Sequence, residues 1–99
     1  MNHVSLDMSL VVPDEVIFRE LDGDAIILNL ATGIYFGLDA IGARMWMLFA
    51  RSDPLERVVG ALADEYDIDR ASLERDVLDL VSELMTKGLV QIKAAGSHP

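Results

Sequence analysis

The stretch from Leu28 to Trp46 leaves this chain few ways to fold, because it ends one strand, turns, runs a second strand and enters a helix with almost no spacer. Ala31-Thr32-Gly33 reads as a hairpin connection, with Gly33 supplying the positive φ that such turns need. Ile34 to Leu38 is branched and aromatic and carries no charge, which is the composition of a strand. Asp39 stands where a helix N-cap belongs, its carboxylate placed to accept from the unpaired amides of the next turn. So short a strand, with neither Pro nor Lys to guard it, exposes unpaired backbone groups along its edge. Either the fold covers that edge or a partner does.

The segments on both sides complete a small sheet and a helical layer. Val16 to Leu21 is rich in strand-forming residues, and Asp22-Gly23 directly after it is a strong hairpin signal. Ala25 to Leu30 returns, with Ile26, Leu28 and Leu30 giving one wholly apolar face and Ala25, Ile27 and Asn29 a mixed one. Two tight hairpins in succession make a three-stranded antiparallel meander, with Ala25–Leu30 in the middle and Ile34–Leu38 on an edge. Three helices follow, over Ala40–Ala50, Pro54–Glu65 and Arg70–Lys87. The first is apolar nearly all round, Trp46 and Met47 lying off its main stripe, so it is expected to be sandwiched. Ser52-Asp53-Pro54 reads as a stop and restart, with Pro54 at the first helical position. Gly88 takes the place of a left-handed C-terminal cap, and Leu89–Ile92 adds a short strand. Residues 1–9 read as a mobile lead-in, residues 10–93 as one domain and residues 94–99 as a frayed tail. Leu10-Val11-Val12 is either a short strand or an extended segment. The order β-β-β-α-α-α defines an α+β domain with its helices on one face of the sheet.

Composition narrows what such a domain does. The 99 residues are 52% hydrophobic and 25% charged, an ordinary globular balance, and no run approaches a membrane span. The N-terminus lacks the basic opening of a signal peptide, so the expected compartment is the cytoplasm. Without cysteine there is no disulfide, thiolate metal site or thiol nucleophile. A net charge of −9 repels nucleic acid and anionic lipid alike. The only histidines, His3 and His98, fall in segments expected to be mobile, and no ligand cluster, phosphate-binding loop or nucleophile elbow accompanies them. Asp22-Gly23-Asp24 resembles the opening of a calcium loop whose remaining ligands are missing. The chain therefore reads as a non-enzyme that needs no cofactor or metal.

What remains is a groove. If the third helix packs beside the third strand, the strand offers the backbone of Ile34, Tyr35, Phe36, Gly37 and Leu38. The helix offers Asp76, Asp79, Leu80 and Glu83 on one face, with Arg75 beside it. An extended peptide adding as a fourth strand would bond to that edge and drop alternate side chains between strand and helix. Tyr35, Phe36 and Leu80 would line its pockets, and the acidic rim would favour basic or amide groups. The same residues also read as plain core aromatics and a solvated helix face, and periodicity alone does not choose between the two.

The string Leu30-Ala31-Thr32-Gly33-Ile34-Tyr35-Phe36-Gly37-Leu38-Asp39-Ala40-Ile41-Gly42-Ala43-Arg44-Met45-Trp46 resembles the hallmark of the PqqD family. So does the later pattern of Tyr66-Asp67-Ile68, Leu73-Glu74-Arg75-Asp76-Val77, Leu84 and Gly88-Leu89-Val90, and the resemblance spans Val16 to Ile92. Asp39 departs from the Asn of many members, and either residue caps a helix. The resemblance implies a winged helix-turn-helix domain that acts as a RiPP recognition element. Such domains bind the leader segment of a ribosomally made precursor peptide and present it to modifying enzymes. It further implies that the leader adds antiparallel to Ile34–Leu38 and lies against Arg70–Lys87. The enzyme served would be a leader protease with an ATP-dependent cyclase in lasso-peptide pathways, which we favour, or a radical S-adenosylmethionine enzyme.

Two other readings compete. A winged-helix DNA-binding regulator shares the fold, but Asp53 to Lys87 holds ten acidic and four basic residues, the wrong sign for a recognition helix in a major groove. A structural homodimer would pair two Ile34–Leu38 edges with each other, and a swapped Leu10-Val11-Val12 segment would fill the same edge.

Overall fold

The computed structural model describes residues 4–93. Its elements are β1 (Ser9–Val11), β2 (Val16–Leu21), β3 (Asp24–Asn29), β4 (Tyr35–Leu38), α1 (Ala40–Phe49), α2 (Leu55–Glu65), α3 (Arg70–Thr86) and β5 (Gln91–Lys93). The fold class is α+β, with β2, β3 and β4 forming a three-stranded antiparallel sheet ahead of the three helices. β3 is the middle strand and β4 an edge, as two successive hairpins demand. Asp22 and Gly23 both have positive φ, 55° and 90°, so the first hairpin turns in the hand that matches strand twist. Gly33 turns the second at φ 76°.

Strand alternation and register divide the sheet into two faces. Val16, Ala25, Ile27 and Leu38 are buried toward the helices, and Phe18 beside them stacks on Trp46 of α1 with ring centroids 6.4 Å apart. The opposite face presents Ile17, Ile26, Leu28 and Tyr35, which lie next to one another across the three strands. It is therefore the mixed row of β3 that meets the helices, while the wholly apolar row looks outward.

The helical layer closes over the inner face. Phe49, Leu55, Val59, Leu62, Leu73, Val77, Val81 and Leu84 are all fully buried. Asp39 caps α1 by accepting from the amide of Gly42 at 2.8 Å. Gly42 is itself confined, since a Cβ there would lie 3.1 Å from Oδ1 of Asp39 and 3.3 Å from the Leu38 side chain. Met47 is 45% exposed, so α1 is not sandwiched on every side; its outer surface faces water.

The N-terminal residues are tied into the domain. The amides of Leu55 and Glu56, unpaired within α2, donate to the carbonyls of Met8 and Leu6 at 2.8 Å each. Pro54 sits at the N-cap of α2 rather than inside its first turn, and its own side chain can accept nothing, so these incoming carbonyls take up the helix start. Ser52, at φ 61°, donates its hydroxyl to the carbonyl of Leu10 at 3.1 Å. β1 then pairs with β5, Leu10 opposite Ile92, in a separate two-stranded sheet. Residues 5–8, read from sequence as a lead-in, thus contribute backbone partners to α2. The anticipated tail at 94–99 and both histidines lie outside the described residues.

The α1 cap allows a direct check. Asp39→Ala should lower unfolding free energy by about 0.5–2 kcal/mol, whereas Asp39→Asn should stay close to wild type. Urea denaturation followed by circular dichroism measures both.

Candidate functional site

β4 is the last strand of its sheet, and no strand of the described residues pairs with its outer side. The swapped segment anticipated for this edge, Leu10-Val11-Val12, is instead engaged with β5 through Leu10 and Val11. The carbonyl of Ile34 accepts from the amide of Asn29 at 2.9 Å, so at Ile34 the backbone faces β3. Backbone direction alternates along an antiparallel strand, and the N–H and C=O of Tyr35 and Gly37 therefore point to the open edge, those of Phe36 and Leu38 toward β3. Gly37 has nothing within 4 Å of where a Cβ would stand. An incoming extended chain meets donors and acceptors at Tyr35 and Gly37.

Side chains alternate between faces in the same way. Phe36 and Leu38 turn toward the helices, and Leu38 is buried while Phe36 is half-buried against the core. Tyr35 turns to the outer face and is 66% exposed. Tyr35 and Phe36 consequently do not line one pocket, because neighbouring residues in a strand point to opposite faces. Ile34 precedes the strand and is exposed at the turn.

On α3, Leu80 is half-buried against the core, and Asp76, Asp79, Glu83 and Arg75 are exposed. Helical spacing puts Asp76, Leu80 and Glu83 on one flank, with Asp79 and Arg75 further round toward solvent. The same flank ends in Lys87, seven residues beyond Leu80 and four beyond Glu83. Its Nζ lies over the Phe36 ring, 5.8 Å from the centroid. Lys87 was not among the residues marked from sequence, although extending the row from Leu80 and Glu83 by one turn finds it. The site thus has two walls that touch at one end, β4 through Phe36 and α3 through Lys87.

Asn29 holds that end together. Its amide nitrogen donates to the carbonyl of Gly88 at 3.0 Å, which joins the end of β3 to the residue that terminates α3. Its side-chain oxygen accepts from the amides of Ala31 at 2.8 Å and Thr32 at 3.2 Å, shaping the turn into β4. Gly33 donates back to the Asn29 carbonyl at 2.8 Å. Gly88, at φ 72°, is the left-handed residue that lets α3 stop there.

Charge around the site is carried by the exposed carboxylates of Asp76, Asp79 and Glu83 and by the cations Arg75 and Lys87. Elsewhere, Arg44 on α1 and Glu65 at the end of α2 form a two-point ion pair, at 2.9 and 2.6 Å. The hydrogen bonds from Arg44 hold the Glu65 carboxyl below its ordinary range. An open cleft of about 650 Å³ lies between the end of α1, α2 and the start of α3, where Arg51, Arg57 and Arg70 stand among Asp53, Glu56 and Asp64. It is formed away from β4, and its charges offset one another. Among the described residues no group of three or more His, Asp or Glu side chains is placed to hold a metal ion, and no helix is long and apolar enough to cross a membrane.

Removing the Asn29 side chain should test how firmly the walls are joined. Asn29→Ala leaves the Gly88 carbonyl and two turn amides short of partners, and is expected to cost about 1–3 kcal/mol in chemical denaturation. Amide hydrogen exchange should quicken at residues 31–36 and at Leu89 more than in α2.

The sequence profile described as coenzyme PQQ synthesis protein D (PqqD) matches residues 24–90. No curated protein matches the chain. A solved structure titled TbiB1 in complex with the TbiA(beta) leader peptide superposes with a TM-score of 0.76 at 36% identity, covering 90% of this chain and 99% of that one. A second, lasso peptide synthetase B1 complexed with the leader peptide, gives a TM-score of 0.75 at 23% identity over 84% of this chain and 98% of that one, a likeness of fold. With the profile spanning both the β3–β4 hairpin and the whole of α3, this chain belongs to the PqqD family.

Proposed function

We propose that this protein is a non-catalytic leader-peptide-binding module that takes up the leader of a ribosomally made precursor as a fourth strand on β4. The observation that carries this reading is the open β4 edge, with Tyr35 and Gly37 presenting backbone groups and the half-buried Phe36 meeting Lys87 at the end of α3. The 36% identity to TbiB1, which was solved with a leader peptide, supports it. Backbone bonding at Tyr35 and Gly37 supplies affinity that tolerates sequence variation, and inward side chains supply selection. The fold's other use, reading DNA, is disfavoured by the exposed carboxylates of α3, Asp76, Asp79 and Glu83, on the helix that would enter a groove.

A presented peptide must meet a second protein, and in our reading that is a modifying enzyme of the lasso type, a leader protease acting with a cyclase. An added strand would extend the outer sheet face, so that Ile17, Ile26, Leu28 and the peptide's outward side chains form one surface. That face holds exposed apolar groups, with Leu21 and Leu30 each 60% exposed near its ends. The enzyme docks there.

Titration with the leader of the precursor encoded nearest the gene, with the TbiA(beta) leader as a comparison, tests the binding step. Gly37→Pro removes an edge donor without removing a bond to β3, since Pro is tolerated on sheet edges. It should weaken leader binding at least tenfold while helical circular dichroism is retained. Unchanged affinity in the folded variant would overturn the β4 site. Phe36→Pro is the poorer probe because its amide faces β3.

The outer face is tested separately. Ile17→Thr with Leu28→Thr should leave leader affinity within about twofold of wild type and lower the rate of leader removal by the purified protease tenfold or more. An unchanged rate would leave that face without a role in presentation.

A further inference from the structure

The exposed carboxylates of α3 suggest a groove that prefers basic peptides throughout, but its closed end carries a cation. We infer that Lys87 is a specificity-determining residue that selects a carboxylate side chain of the bound peptide at the inward-facing position beside Phe36. The inference rests on the peptide-binding reading and adds to it which chemistry one position of the peptide must have.

Three observations carry it. First, Lys87 stands four residues after Glu83, in the order that favours a helical ion pair, yet its Nζ lies over the Phe36 ring, 5.8 Å from the centroid. No carboxylate of the described residues lies within ion-pairing distance of it. The ammonium is therefore held against the Phe36 ring, with no carboxylate partner among the described residues, at the point where the two walls meet. Second, the backbone groups of Phe36 face β3, so a strand added to β4 forms a non-hydrogen-bonded pair at Phe36. Side chains stand closest in such pairs, and the peptide residue opposite Phe36 projects inward beside that ring and toward Lys87. Third, Lys87 is half-buried by this chain's own residues. A peptide lying there removes more water from the ammonium, which penalises a neutral or basic neighbour and rewards a carboxylate.

The charges along α3 confine this preference to one place. Glu83 is one helical turn from Lys87, and Asp76 and Asp79 lie further back along α3. A peptide carboxylate displaced toward them meets like charge, whereas one beside Phe36 meets Lys87. The groove thereby fixes register as well as composition: strand addition alone accepts a shift of two residues, and this pairing does not.

The test is a charge swap in trans. The leader of the precursor encoded nearest the gene is synthesised with each Asp and Glu replaced singly, by the corresponding amide and by Lys. Each peptide is titrated against wild type, Lys87→Met and Lys87→Glu, with circular dichroism confirming that the variants fold. Lys87→Glu should weaken the unmodified leader tenfold or more, and Lys87→Met should weaken it less. One carboxylate position should stand apart: its Lys peptide binds wild type poorly and regains at least fivefold affinity on Lys87→Glu. Binding of every peptide within twofold on all three proteins would overturn the inference. Loss on Lys87→Glu with no rescuing peptide would also overturn it, by making Lys87 a packing residue on Phe36, and so would tight binding of a leader that has no carboxylate. Failure of folded wild-type protein to bind any leader would instead overturn the peptide-binding reading on which the inference stands.

Discussion

The amide of Asn29 is the contact on which the arrangement of this site depends. One small buried side chain meets the Gly88 carbonyl at the end of α3 and the two amides that begin the turn into β4. The two amides lie in the turn just after Asn29 and the carbonyl 59 residues on, and none of the three has a helical or ladder partner to fall back on. Buried backbone groups without partners are costly, so Asn29 makes the relative position of turn and helix end an obligation of folding. It explains why the face of β3 bearing a polar residue is the one turned inward. Burial of the wholly apolar row would have left the helix terminus and the turn unsatisfied together.

With that junction fixed, the open edge follows from where the chain spends its other strands. β1 and β5 pair with each other, and the carbonyls of Leu6 and Met8 are used on the first amides of α2. No strand in residues 4–93 pairs with the outer edge of β4. Edge strands are ordinarily blunted by charge, proline or a covering element, and Tyr35–Leu38 has none of these. An edge left bare in this way is what the proposed strand addition would use.

Much of this was legible in the residues. Asp22-Gly23, Gly33, Asp39 and Gly88 are local signals whose geometry is decided within a few residues, and each is found doing what its type suggests. The meander, its strand order and the three helices follow from those signals and from periodicity. What was not legible is nonlocal. Nothing around Leu6 or Met8 announces that their carbonyls will serve a helix about fifty residues on, and nothing around Leu10 names Ile92 as its partner. Asn29 reads from sequence as the polar member of a mixed face, and its bond to Gly88, 59 residues away, forms only in the fold. Tyr35 and Phe36 suggest one pocket by their shared aromatic chemistry, and strand alternation puts them on opposite faces. Lys87 lies one turn beyond Glu83 on the same helical flank.

The separation of roles along β4 has a consequence for how such a site evolves. In the proposed complex, backbone atoms of Tyr35 and Gly37 supply bonds that any extended peptide satisfies, while Phe36, Leu80 and Lys87 read side chains. Substitutions at the reading positions alter which peptide is held without removing the bonds that hold it. The backbone positions have no such latitude, since a change at Gly37 either spares the donor or deletes it. Net charge acts on neither set directly: at −9 it accelerates encounter with a basic peptide and slows encounter with an acidic one, an effect that salt screens. A carboxylate recognised by Lys87 works against that long-range field and is favoured only at contact, where water has been displaced from the pair. Selection at that position is therefore a property of the docked strand rather than of the encounter, and it should persist at ionic strengths that erase the effect of the acidic surface.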